Sequence, residues 1–206
     1  LSNNIKKNRV SIGIGCWGFD YYMSTSEEND LIPQADKDFF MRERDGFNNT
    51  LSNIMKNNQD CSFNFKEHPG NLKGHLGSGI ESCVNFTNVK VYDNDKTIFD
   101  CILESDLWIT YDSTTAMEAW LLDKQTCILN PSKSKWPHQR DQMHLSQPIL
   151  NSDNDLQSAI DAVKSGEIIS KFNDFEKKQK EVTKDVIEWN DGLNHVRVGN
   201  EIIEFI

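Results

Sequence analysis

Five short apolar runs rich in β-branched residues recur along this chain with helix-patterned stretches between them, and this alternation limits the fold more than any other feature. The runs are residues 9–14, residues 61–65, Val89–Tyr92, Leu107–Thr110 and Thr126–Leu129. Each is of strand length. Between them, residues 47–55 carry Phe47, Leu51, Ile54 and Met55, and Ile98–Leu103 and residues 116–122 are also apolar at helical spacing. A helix between two strands returns the chain to the same end of the sheet, so the strands pair in parallel. The expected fold is α/β: a doubly wound parallel sheet of five to six strands covered by helices on both faces.

Beyond Leu129 the pattern changes. Residues 131–148 read as a loop punctuated by Pro131, Pro137 and Pro148, with His138, Arg140 and His144 as a candidate basic rim. A short strand is expected at residues 148–150. Asp153 or Asn154 then caps a helix through Val163 with Leu156 and Ile160 on its apolar face, and Gly166 ends it. A charged helix over residues 174–189 and a last one over residues 200–205 complete the chain. The expected organisation is one domain over residues 1–206, with a core at 9–165 and a carboxyl-terminal helical bracket at 166–206. Residues 16–44 read as a long insertion after the first strand, either a binding loop carrying Asp20, Glu27, Glu28 and Asp30 or a surface excursion.

Composition removes several function classes. A formal net charge of −10 argues against a nucleic-acid binder, because a phosphate backbone demands a basic surface. Any anionic ligand must therefore be held locally. Five cysteines, none at Cys-x-x-Cys spacing, suggest neither a zinc site nor a disulfide framework, and a reducing cytosol is the simpler setting. No apolar run approaches membrane-spanning length, and the Asn- and Lys-rich start lacks the apolar centre of a signal peptide. The sequence opens on Leu1, which reads as a fragment whose partner domain is missing.

Two turns gather the residues that can carry chemistry. In Lys66-Glu67-His68-Pro69-Gly70, Pro69 biases His68 toward an extended backbone, which projects its ring at the carboxyl end of the strand. In Asp112-Ser113-Thr114-Thr115, small hydroxyl side chains precede an apolar helix whose first N–H groups form an anion-binding end. Glu118 follows on that helix, where a carboxylate can accept hydrogen bonds from a ribose diol. Taken alone, each feature also has a plain reading: a helix cap, a loop histidine, a dipole-compensating acid. Taken jointly, both turns leave strands at the edge of a parallel sheet where ligands bind, and together they offer a cation, hydroxyls and amides.

The pair resembles the His-Pro motif and the Ser/Thr motif of sugar transferases of the two-Rossmann (GT-B) architecture. The nearest patterns are those of bacterial sialyltransferases, capsular Kdo transferases and CDP-glycerol glycerophosphotransferases. The resemblance spans residues 10–163 and rests on Phe63-Asn64-Phe65-Lys66-Glu67-His68-Pro69, the stretch from Lys96 to Thr110, and Tyr111-Asp112-Ser113-Thr114-Thr115-Ala116-Met117-Glu118-Ala119. It implies a Rossmann-like domain that is half of a GT-B enzyme. By the same resemblance, His68, Ser113 and Thr114 contact the donor phosphate, with His68 as leaving-group stabiliser. Lys66, Pro69 and Thr115 belong to the same two motifs, Glu118 lies near the ribose, and Gly13 and Gly15 let the backbone approach the ligand. No metal or cofactor is expected, since a helix end and basic side chains neutralise the leaving phosphate. The acceptor site and general base are expected on an amino-terminal Rossmann domain.

The function expected from this resemblance is transfer of a sugar or polyol phosphate from a nucleotide-activated donor, CMP-linked first and UDP-linked second, to a saccharide acceptor. The setting is capsule or lipopolysaccharide biosynthesis in the cytoplasm or at the inner membrane face. The alternatives are a UDP-sugar 2-epimerase-like enzyme and a non-catalytic nucleotide- or partner-binding module.

Overall fold

A computed structural model describes residues 9–15, 19, 32–66, 80, 82–92, 96–111, 113–135, 141–166 and 170–187. Six strands, β1 (Ser11–Gly15), β2 (Ser62–Lys66), β3 (Val89–Tyr92), β4 (Leu107–Thr110), β5 (Thr126–Leu129) and β6 (Ile149–Leu150), form one sheet in the order β3-β2-β1-β4-β5-β6. Every pairing is parallel. The order runs outward in both directions from β1, so the chain changes sides between β1 and β4, and ligands bind at such a switch point in sheets of this kind.

Strand alternation sorts the side chains onto two faces. Ile12, Ile14, Phe63, Phe65, Leu107 and Ile109 join the larger core with Phe47, Leu51 and Met55 of α1 (Gln34–Asn57) and Leu156 and Ile160 of α5 (Asp153–Ser165). Trp108 packs on the other face with Cys101 and Ile102 of α2 (Ile98–Leu103) and Ala119 of α3 (Thr115–Leu121). A third cluster joins Ala116 and Trp120 of α3, Met143 of α4 (Asp141–His144) and Val182 of α6 (Ser170–Ile187). Thus α6 packs on this domain's own helix α3. The described cysteines Cys61, Cys83, Cys101 and Cys127 are buried and free.

The elements differ from expectation mainly at their ends. The first two strands each end one residue further along than expected, which brings Gly15 and Lys66 into the ladder as direct partners. The largest correction is α1, which begins at Gln34 instead of residue 47. Residues 34–44 are therefore helical, and the expected insertion over 16–44 loses its last third. Phe40 and Glu43 are buried there, about two turns and one turn before the apolar stripe begins in earnest at Phe47, and the intervening charged residues mask the period. Asp20, Glu27, Glu28 and Asp30 lie outside the described residues, as does the helix expected over 200–205. Helix α3 starts at Thr115, which moves Glu118 into its first turn. The α5 cap is Ser152, whose Oγ accepts from the Asp155 N–H at 3.2 Å, and Gly166 closes the helix in the left-handed region at φ 72°. Within the proline-rich loop, α4 buries His144, so this ring is no part of an exposed basic rim; His138 and Arg140 lie outside the described residues.

At the amino-terminal end of the sheet a buried polar lock joins α1 to α5. Asn58 donates to the Ile54 carbonyl at 2.9 Å and to Gln157 Oε1 at 2.7 Å, while its own Oδ1 accepts from Gln157 Nε2 at 3.1 Å and Lys164 Nζ at 2.8 Å. All four hydrogen-bonding positions of this amide are filled, so its burial carries no desolvation penalty left uncompensated.

Candidate functional site

The carboxyl ends of β2, β1 and β4 lie side by side at the switch point. Lys66 is the last residue of β2 and pairs with Gly15, the last residue of β1. On the other side, Ile14 pairs with Ile109, and β4 ends at Thr110, just ahead of Ser113, Thr114 and Thr115. A Cβ placed on Gly15 would lie 3.1 Å from Thr115 Oγ1. Gly15 is thus the common neighbour of the Lys66 strand end and the hydroxyl turn. His68 and Pro69, expected in the same group, lie outside the described residues, as does Asp112.

The two glycines make room for a side chain of the neighbouring strand. Cβ atoms on Gly13 would meet Ser105 Oγ at 2.1 Å and the Trp108 ring at 2.4 Å, and on Gly15 would meet the same ring at 3.1 Å. The space left by the missing side chains is filled by the Trp108 indole, which is fully buried. At Gly13 the close approach is made by the Trp108 ring and Ser105. Neither glycine needs an unusual backbone; Gly13 needs an absent methyl, and Gly15 tolerates one only with a shift of its neighbours.

The hydroxyl turn is internally bonded. Ser113 Oγ accepts from the Thr115 N–H at 3.3 Å and from Thr115 Oγ1 at 3.1 Å, and Thr115 Oγ1 accepts from Trp108 Nε1 at 3.1 Å. The Ala116 and Met117 amides donate to the carbonyls of Ser113 and Thr114. The amides of residues 115–117 are already engaged, so the expectation of free helix N–H groups is corrected: this turn offers an anion side-chain hydroxyls first. Thr114 is the N-cap residue, exposed, with no side-chain cap hydrogen bond.

Glu118 is half-buried on the next turn of chain. Its Oε2 is shielded from solvent and has no hydrogen-bond partner among the described residues. Burial raises its carboxyl above the ordinary glutamate range. A desolvated carboxylate beside a hydroxyl turn is matched to a ligand group that donates hydrogen bonds.

A second set of residues, absent from the motif reading, holds the turn from the α1 side. Tyr111 is buried and donates through its OH to Glu43 Oε2 at 3.3 Å. Its ring meets Phe19 edge-on at a centroid distance of 5.0 Å and Phe47 at 6.2 Å. These aromatics tie α1 and the segment after β1 to the residue preceding the hydroxyl turn. For Trp108 the sequence holds half a signal, glycines at alternate positions of one strand, but which ring they receive follows only from the pairing of β1 with β4. For Glu43 there was none, because a charged residue in a polar helix gives no hint of burial. Among the described residues no group of three or more His, Cys, Asp or Glu side chains could hold a metal ion.

Parallel order, a switch point between β1 and β4 and paired strand ends define a Rossmann-like α/β domain. No protein-family model matches the sequence, and no curated protein matches it. Solved structures do. The wall teichoic acid polymerase TagF aligns with 98% of this chain and 45% of its own at 15% identity and TM-score 0.57. The S. aureus MnaA–UDP structure aligns with 96% of this chain and 46% of its own at 10% identity and TM-score 0.53. A β-Kdo 2,4 transferase, KpsC of Thermosulfurimonas dismutans, aligns with 68% of this chain and 40% of its own at 17% identity and TM-score 0.41. The likeness to the first two is one of fold. This chain spans less than half the length of each of these three. Among the described residues no helix is long and apolar enough to cross a membrane.

Proposed function

We propose that this chain is the donor-binding part of a transferase that moves a sugar or polyol phosphate from a nucleotide-activated donor to the saccharide acceptor of a surface polysaccharide. The observation that carries this reading is the position of Gly15, with the Lys66 strand end on one side and the Ser113-Thr114-Thr115 turn on the other, at the switch point of the sheet. As the bond to the transferred group breaks, negative charge grows on the nucleotide phosphate, and hydrogen-bond donors already in place lower the barrier. Ser113 and Thr114 supply hydroxyls to that phosphate, Lys66 and His68 supply positive charge and a ring N–H, and Glu118 accepts from the ribose. The motif resemblance favours a cytidine nucleotide. The fold shared with the UDP-bound MnaA structure supports uridine as the second choice. The acceptor site and general base belong to a second Rossmann-like domain in this reading.

Melting curves in the presence of CMP, CDP, UDP and GDP test the proposal. A cognate nucleotide at 100 times its dissociation constant adds about 2.7 kcal/mol of stability. A domain of this size gains about 2–4 °C per kcal/mol, so a rise of roughly 5–11 °C is expected. The rise should be largest for the cytidine nucleotides and absent in His68→Ala and Ser113→Ala. No rise with any nucleotide, or an undiminished rise in both variants, sinks the proposal.

A further inference from the structure

The hydrogen bonds behind the hydroxyl turn have a direction. An indole N–H only donates, so Thr115 Oγ1, 3.1 Å from Trp108 Nε1, must be the acceptor there. Thr115 then turns its single hydroxyl hydrogen toward Ser113 Oγ at 3.1 Å. Ser113 Oγ also receives the Thr115 N–H at 3.3 Å, which fills its two lone pairs. What Ser113 has left is its own O–H, aimed away from Thr115. The first donor of this relay is enclosed: Trp108 is fully buried, and its ring occupies the space beside Gly13 and Gly15.

We infer that Trp108 and Thr115 are positioning residues that fix the Ser113 hydroxyl as a hydrogen-bond donor, so that the site selects an acceptor-only group, a phosphate or similar oxyanion, over one that donates. The inference rests on the donor-binding reading above and adds to it the group that sets the polarity of the contact. A free serine hydroxyl rotates to suit either kind of partner. This one is committed before the ligand arrives, and the ligand does not bear the cost of reorienting it.

The pair Thr115→Val and Thr115→Ser separates polarity from shape. Valine keeps the volume and removes the hydroxyl; serine keeps the hydroxyl. In nitrogen-15 spectra of the unliganded chain, the Trp108 indole resonance, assigned by its loss in Trp108→Phe, should move in Thr115→Val and stay near its wild-type position in Thr115→Ser. Calorimetric titration with CMP and UDP gives the second readout. Ser113→Ala should weaken binding by about tenfold or more, as expected for a hydrogen bond to a charged group. Thr115→Val and Trp108→Phe should weaken it by about three- to tenfold, Thr115→Ser should restore it, and Trp108→Phe should add nothing in the Ser113→Ala background. If Ser113→Ala weakens binding while Thr115→Val binds like wild type, or if the indole resonance ignores Thr115→Val, the relay is wrong and the donor site stands. If the wild type binds neither nucleotide, or Ser113→Ala binds unchanged, the donor-site reading falls and the relay's role falls with it.

Discussion

The two glycines of β1 should respond to alanine in opposite ways. At Gly13 a methyl would sit 2.1 Å from Ser105 Oγ and 2.4 Å from Trp108 Cε3. Neither neighbour can yield: Ser105 Oγ is bonded to the Cys101 carbonyl at 2.7 Å, and the Trp108 indole is pinned at Thr115. Overpacking then costs the upper end of its usual range, about 3 kcal/mol. The smaller entropy of the unfolded alanine chain offsets about 0.4–1 kcal/mol of that. The net loss of about 2 kcal/mol lowers the melting temperature by roughly 4–8 °C in a domain of this size. At Gly15 the nearest atoms, Thr115 Oγ1 and Trp108 Cζ2, are both at 3.1 Å, so a shift of a few tenths of an ångström suffices. That costs about 1 kcal/mol or less, and the entropy gain nearly cancels it. The shift falls on Thr115, whose hydroxyl sets Ser113. Gly15→Ala should therefore melt within about 2 °C of wild type and bind nucleotide several-fold more weakly, whereas Gly13→Ala is the unstable variant. Differential scanning calorimetry and nucleotide titration on the two proteins decide the matter. A Gly13→Ala protein as stable as wild type, or a reversed order of stability, refutes the packing argument.

Three further outcomes follow from the site. Because burial raises the Glu118 carboxyl, the folded chain holds that proton more readily than the unfolded chain, and Glu118 lowers stability as pH rises through the window between the ordinary and the raised value. Glu118→Gln should raise the melting temperature at neutral pH, with the gap closing as pH falls toward about 4, and should weaken nucleotide binding; a gap independent of pH refutes the assignment. Tyr111→Phe removes a donor from the buried Glu43 and should cost about 1–3 kcal/mol in urea unfolding, while Glu43→Gln, which keeps an acceptor, should cost less. Gly166→Ala forces a left-handed backbone on a residue with a side chain and should lose about 1 kcal/mol of stability without touching nucleotide affinity.

The sheet was legible because its strands are fully or alternately apolar and short, and all five expected runs end within one residue of where the strands end. Val89–Tyr92, Leu107–Thr110 and Thr126–Leu129 match to the residue. The start of α1 was hidden by its own chemistry, since Asp36, Lys37, Asp38, Arg42 and Arg44 interrupt the apolar stripe while Glu43 occupies a core position. At the site, Ser113, Thr114, Thr115 and Glu118 stood out by type and spacing. The engagement of the helix amides did not, because it depends on how the turn closes on itself. Nor did the service Gly13 and Gly15 give to Trp108, which needs the pairing of β1 with β4 to be known first.

The Asn58 lock and the hydroxyl turn stand at opposite ends of the same sheet. Asn58 precedes β2 and the turn follows β4, and a five-residue strand such as β2 is about 13 Å long, beyond the range over which substitutions usually couple. Asn58→Ala strips two donors and two acceptors of their partners and should reduce the melting temperature markedly, yet leave nucleotide affinity where it was. The domain is in this sense a mortise with its joint at the foot and its working edge at the top. Sequence drift, or an engineer, can loosen or tighten the foot and never dull the edge.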